Sequence, residues 1–187
     1  MTDLVKTLQF RVAMQNDMQG ALELLQSQHR DNLSDSEKQD GFISVRFTME
    51  TLNEMTDNGI TVVAVADDIT AGVLSAQSCD YNLRSIPLAA KLIEACHGLT
   101  FQNEDIELDR AIICGPVCVA KDFRGQGIFE KMYDVFKVEA RDSYDLGLTL
   151  IARTNPRSLR AHEKIGYKNL ISFDFDSRTY DALAMWF

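Results

Sequence analysis

The chain has 187 residues, 45% of them hydrophobic and 25% charged, with a formal net charge of -9. That length suits a single domain, residues 1–187, able to bury a real core, and the composition excludes disordered and fibrous classes. The acidic balance excludes a nucleic-acid backbone as an expected partner, because such binders carry a basic stripe.

No apolar run approaches the roughly eighteen residues of a membrane span. The start, "MTDLVKTLQF", lacks the apolar core and small-residue cleavage site of a secretory leader, so a cytoplasmic protein without a membrane partner is expected. Cys79, Cys96, Cys114 and Cys118 show no C-x-x-C pairing and lie in strand-like or helix-like surroundings. They read as buried free thiols, with no metal site expected. His29 and His97 read as surface or helix-end residues.

Leu8 to Met14 reads as a first strand, followed by a helix capped by Asp17 with Ala21, Leu22, Leu24 and Leu25 on one face. "SQHRDNLSDSEKQDG" reads as a loop with frayed helical turns. Thr48 or Thr51 caps a short helix carrying Leu52 and Met55, stopped at "DNG". "TVVAVADD" and "AGVLSAQS" form a hairpin of buried strands bent at Asp68 to Thr70. A helix begins at Pro87 and carries Leu88, Leu92 and Cys96 at helical spacing.

"RAIICGPVCVA", Arg110 to Ala120, reads as a strand with a bulge at Gly115-Pro116, where proline removes a ladder donor. After the turn "RGQG", Ile128, Met132, Val135 and Phe136 share one helical face. "LTLIAR" is a further strand, and Asn155-Pro156 is the cap and first-turn signature of a helix stopped by Gly166. The tail gives two aromatic-rich strands around Asp176-Ser177. These elements define an α/β (α+β) fold: a mixed, mostly antiparallel central sheet with helices on both faces.

Arg124-Gly125-Gln126-Gly127 sits between strand and helix, which gathers unpaired backbone N–H groups and the positive end of a helix dipole around one point. Glycine lets an anion approach the backbone closely, and Arg124 adds a charged donor, so a pyrophosphate is the expected guest. Neither a P-loop nor a dinucleotide fingerprint is present. Alone, such a turn is also a cheap way to join a strand to a helix.

A second segment, "NPRSLRAHEKIGYK", opens another helix behind a strand. Together the two resemble the GNAT superfamily of acetyl-CoA-dependent N-acyltransferases. That family's pyrophosphate motif, R/Q-x-x-G-x-G/A, matches Arg124 and Gly127, with Phe129 where the pattern has Gly or Ala. Its later motif, roughly N-x-x-A/S-x-x-x-Y-x-K-x-G-F/Y, matches Asn155, Ser158, Lys164, Gly166 and Tyr167, with His162 in place of the tyrosine. The motifs span about Ala111 to Tyr167.

The resemblance implies that the strand Ala111 to Val119 splays from Leu148 to Arg153, opening a slot at the predicted bulge. It also implies acetyl-CoA as cosubstrate, with Val117, Cys118 and Val119 pairing with the pantetheine arm and Arg124, Gly125, Gln126, Gly127, Ile128 and Phe129 around the pyrophosphate. Asn155 and Ser158 would contact its far side. A backbone N–H at Val117 or Cys118 would serve the oxyanion. The implied reaction is direct acetyl transfer to a primary amine of a small molecule, amino acid or peptide.

For proton transfer, His162 stands where the family has an acid, and imidazole suits that work near neutral pH, or else it simply lines its helix. Relatives place a glutamate where this chain has Ile112-Ile113. Glu107 and Asp109, alternating at the start of the strand, are candidate bases acting through water, or solvated strand-end residues. Cys118 as an acyl carrier has no histidine near it in sequence, and its context suits a packed thiol. Those departures leave a non-catalytic acyl-CoA-binding or regulatory module as the alternative. Acceptor specificity is expected from Gln28 to Val45, Asp80 to Pro87 and the C-terminal hairpin, and the aromatic end "MWF" suits a homodimer contact as readily as its own sheet.

Overall fold

The computed structural model describes residues 7–38 and 41–187. Most of the stretch read for a leader, and residues 39–40 of the Gln28 to Val45 loop, lie outside the described residues.

The strands are β1 (Leu8–Val12), β2 (Gly59–Ala66), β3 (Ile69–Ser78), β4 (Thr100–Phe101), β5 (Glu104–Asp105), β6 (Ala111–Val119), β7 (Leu146–Ala152), β8 (Lys168–Phe175) and β9 (Arg178–Trp186). β4 and β5 pair only with each other, and the rest form one sheet in the order β1-β2-β3-β6-β7-β9-β8. Every neighbouring pair in that sheet is antiparallel except β6 and β7. The helices are α1 (Met18–Ser27), α2 (Asp35–Lys38), α3 (Met49–Asp57), α4 (Cys79–Ser85), α5 (Pro87–Cys96), α6 (Ile128–Ala140) and α7 (Pro156–Lys164).

Because both faces are covered, the inner strands read as continuous apolar runs rather than alternating ones. On one face, Ile128, Met132, Tyr133 and Phe136 of α6 pack with Val62, Leu74, Ile112 and Ile151. On the other, α1 and α3 cover Val63 and Val73, while Leu88, Leu92 and Cys96 of α5 cover Ala111, Ile113, Leu146 and Leu148. Odd and even residues of each strand thus go to opposite layers.

The predicted bulge is present. The β3–β6 register passes from Leu74 opposite Val117 to Ala76 opposite Cys114, leaving Ser75 to face both Gly115 and Pro116. Gly115 has φ 145, a conformation that favours glycine, and its bond to Pro116 is cis.

Three local readings differ. Asp17 does not cap α1: its carboxylate accepts from Arg11 at 2.5 and 2.9 Å and from the Met14 N–H at 2.6 Å. The bidentate guanidinium partner outcompetes the helix end. The segment after β3 holds a helix, α4, capped by Ser78, where a connection was expected. His29 is at a helix end, as expected, its Nδ1 capping the turn Arg30–Asn32 by accepting from the Asp31 N–H at 3.2 Å, but it is buried rather than at the surface.

Candidate active site

β6 and β7 pair only from Ala111 opposite Leu146 to Ile113 opposite Leu148. Both strands continue beyond that point without pairing to each other, which opens a slot through the sheet. At the fork, the Thr149 hydroxyl donates to the Cys114 carbonyl at 2.8 Å, satisfying the first group that the splay would orphan.

Beyond the bulge the direction of each backbone group follows from one bond. Ala120 N–H donates to Ala71 O on β3 at 2.8 Å. Alternation along the strand turns Cys118 to the same side and turns the N–H and C=O of Val117 and Val119 to the slot. Of the two backbone N–H groups expected at the oxyanion, that of Val117 therefore faces the slot and that of Cys118 faces β3.

On the α6–α7 face, one cleft of about 310 Å³ joins the slot to the glycine turn. It is lined by Val117, Cys118, Val119, Arg124, Gly125, Gly127, Ile128, Phe129, Asn155 and Ser158; of the residues expected at the cofactor, Gln126 is outside the lining. Gly125 and Gly127 have φ 77 and 73, and no atom lies within 4 Å of where a Cβ would stand on either. The turn is thus an open cradle whose backbone suits glycine. Lys131 N–H to Gly127 O, at 3.1 Å, closes the first turn of α6, leaving the N–H groups of Ile128, Phe129 and Glu130 ahead of it.

Arg124 rests against the cleft wall, its Nε donating to Val119 O at 3.2 Å and an Nη to the Gln28 side chain at 2.6 Å. Lys164 bridges to Glu130 at 2.6 Å and holds that carboxyl below its usual range. Asn155 caps α7, accepting from the Ser158 N–H at 3.2 Å, and its amide also donates to Phe42 O at 3.3 Å. That second bond fastens a strap, Gly41 to Ile43, across the cleft. Arg157, Lys164, Gln28 and the strap were not singled out as cofactor contacts; Lys164 was a motif match with no contact assigned, and nothing in the local pattern of the others marks them, because the fold brings them there.

A second cavity of about 130 Å³ fills the splay itself, lined by Ile113 to Val117, Thr149 to Ala152, the strap, α5 residues and the edge of His162. Cys118 is half-buried, and burial pushes its thiol up to about 12, so a free thiolate for acyl transfer is not available there.

His162 does not have the surroundings of the expected acid. It is 1% exposed, its Nδ1 lies 2.8 Å from the Ser158 carbonyl, and its Nε2 lies 3.0 Å from the Tyr133 hydroxyl. A carbonyl only accepts, so Nδ1 carries the proton and Nε2 accepts from Tyr133. Burial lowers the imidazole to about 4, opposed by the Ser158 bond, so at neutral pH it holds no proton aimed at the slot. Glu107 and Asp109 are likewise displaced: Glu107 precedes the short turn Leu108–Arg110 and Asp109 lies within it, both exposed, at the closed end of the β6–β7 pair. Neither lines the cleft or the slot, because parallel pairing starts where β6 starts.

Phe129 turns toward α7, its ring 5.0 Å from His162 edge-on and 5.0 Å from Tyr133. The two departures from the family pattern meet: a larger side chain on α6 lies against a smaller one on α7, filling one aromatic cluster between the helices.

No family model matches the chain, and no curated protein matches it in sequence. Solved structures do match in fold. A GNAT-family acetyltransferase from Streptococcus pneumoniae superposes with a TM-score of 0.61 at 15% identity, covering 96% of this chain and 99% of that one. The ribosomal-protein-S18-alanine N-acetyltransferase from Escherichia coli gives 0.63 at 10%, over 96% and 94%. An acetyltransferase candidate from Salmonella typhimurium, solved with its cofactor acetyl-CoA, gives 0.62 at 12%, over 96% and 93%. The chain has the fold of the GNAT acetyltransferases. Among the described residues, no helix is long and apolar enough to cross a membrane, and no group of three or more His, Cys, Asp or Glu is placed to hold a metal.

Proposed function

We propose that the chain is an acetyl-CoA-dependent N-acetyltransferase that transfers the acetyl group directly to a primary amine. The observation that carries this reading is the continuity of one cleft from the glycine cradle on α6 to the open fork of β6 and β7. A cradle at a helix N-terminus suits a diphosphate, and the open edge of β6 supplies strand-like partners for an amide-bearing arm.

Acetyl-CoA would supply the thioester. Gly125, Gly127 and the first N–H groups of α6 would hold its diphosphate, with Val117 to Val119 beside the arm and Asn155 and Ser158 on the far wall. The amine lone pair attacks the thioester carbon, the Val117 N–H receives the developing oxyanion, and the C–S bond breaks to release the CoA thiolate. The nitrogen's surplus proton passes to water, since no carboxylate among the described residues lines the slot and His162 is committed elsewhere.

Amine-dependent release of free CoA thiol tests this reading. With no protein group titrating in the path, kcat/KM is expected to climb with pH as the amine loses its proton, and to level off at the amine's own pKa. A bell-shaped profile with a limb between pH 6 and 7 that is absent in His162→Gln would contradict the assignment. Acetyl-CoA binding without turnover on any amine would favour the second reading, an acyl-CoA-binding module, for which the lack of a carboxylate in the slot among the described residues is the supporting observation.

A further inference from the structure

Charge is divided sharply between the two joined cavities. The cofactor cleft is lined by Arg124, Arg157, Lys164 and Glu130, whereas no Asp, Glu, Lys or Arg among the described residues lines the slot. The nearest ion pair along β7, Arg153 with Asp181 at 3.0 Å, is closed on itself and lies outside the slot lining. The slot wall is instead uncharged and mostly apolar: Phe42, Val45, Ile86, Leu88, Pro116 and Tyr180 stand beside neutral polar residues such as Ser44, Asn82 and Thr149. Its volume of about 130 Å³ is close to that of an apolar protein cavity, roughly 150 Å³, known to accept benzene.

One polar side chain in the wall keeps an atom for a ligand. Asn82 donates its amide to the Gln77 carbonyl at 3.1 Å and the Ser78 carbonyl at 3.0 Å. Those bonds fix which end is nitrogen and leave Oδ1 as an acceptor for an N–H group.

We infer that the acceptor is an apolar primary amine bringing no second charge into the slot, of the class of α-amino amides of hydrophobic residues, with a side chain up to ring size. This rests on the acetyl-transfer reading above. A diamine would bury a second ammonium and a free amino acid its carboxylate, each without a partner, which is costly in an apolar wall. Basicity points the same way. An α-amine with a pKa near 7.7–8.0 is neutral in roughly a tenth or more of molecules near pH 7, while a side-chain amine near 10.4 is neutral several-hundred-fold less often.

Leucinamide, leucine and 1,4-diaminobutane separate the classes. At saturating acetyl-CoA, kcat/KM for leucinamide is expected to exceed that for each of the others by about 100-fold. Ser44→Asp, which places a carboxylate in the slot wall, is expected to narrow the gap to the diamine by about 10-fold or more. Equal or faster turnover of leucine or the diamine by the wild type overturns the acceptor class and leaves the transfer reading standing. Turnover of none of the three overturns both.

Discussion

Gly127→Asp is expected to raise the dissociation constant for acetyl-CoA by about 100-fold or more, while leaving a folded protein. Gly127 sits at φ 73 with open space over its Cα, so a side chain there projects into the cradle rather than into protein. A carboxylate about 4 Å from a diphosphate costs about 4 kcal/mol at an effective dielectric near 20. The left-handed conformation itself costs a non-glycine residue about 1 kcal/mol, and aspartate tolerates it better than most. Gly127→Asn is the matched control: it carries the same backbone cost without the charge, and only several-fold weakening is expected. Equal affinities of the two variants would remove the diphosphate from this cradle.

Acid should expose the second large effect, which belongs to His162. Unfolded, its imidazole binds a proton near pH 6.5; folded, burial delays that to about 4. Between those values the unfolded state binds more protons, so the stability His162 contributes is complete above about pH 6.5 and is lost as pH falls toward 4. The loss amounts to about 2 kcal/mol by pH 5 and about 3 kcal/mol by pH 4. Denaturant titrations at pH 7 and 5 on wild type and His162→Gln measure it. The variant keeps an acceptor for the Tyr133 hydroxyl yet cannot be protonated, so its stability should fall by about 2 kcal/mol less over that interval. Identical slopes would mean that His162 is not held neutral in the core.

What the residues disclosed in advance was local. The cradle was legible because strand, glycine turn and apolar helical face follow each other within Ala111 to Phe136, and the Asn155-Pro156 start of α7 is written in two residues. The bulge was legible because proline cannot donate to a ladder. Glu107 and Asp109 misled because their alternation says nothing about which end of β6 pairs with β7, a matter of long-range register. His162 misled because it is the sole buried residue of α7, and its burial depends on Tyr133 and Phe129 of another helix. The strap was invisible for the same reason: Phe42 and Ile43 are placed by bonds to Asn155 and Gln28, not by any pattern of their own. Phe129, the most conspicuous mismatch to the family motif, becomes intelligible only beside His162.

The central claim is that the cleft between the glycine cradle and the β6–β7 fork is an acetyl-CoA site. Thermal unfolding of the wild type with and without acetyl-CoA tests it most directly. At about 100 times its dissociation constant the ligand should add about 2.7 kcal/mol, moving Tm up by roughly 5–10 °C for a chain of this size. A Tm that does not move at millimolar acetyl-CoA would contradict it.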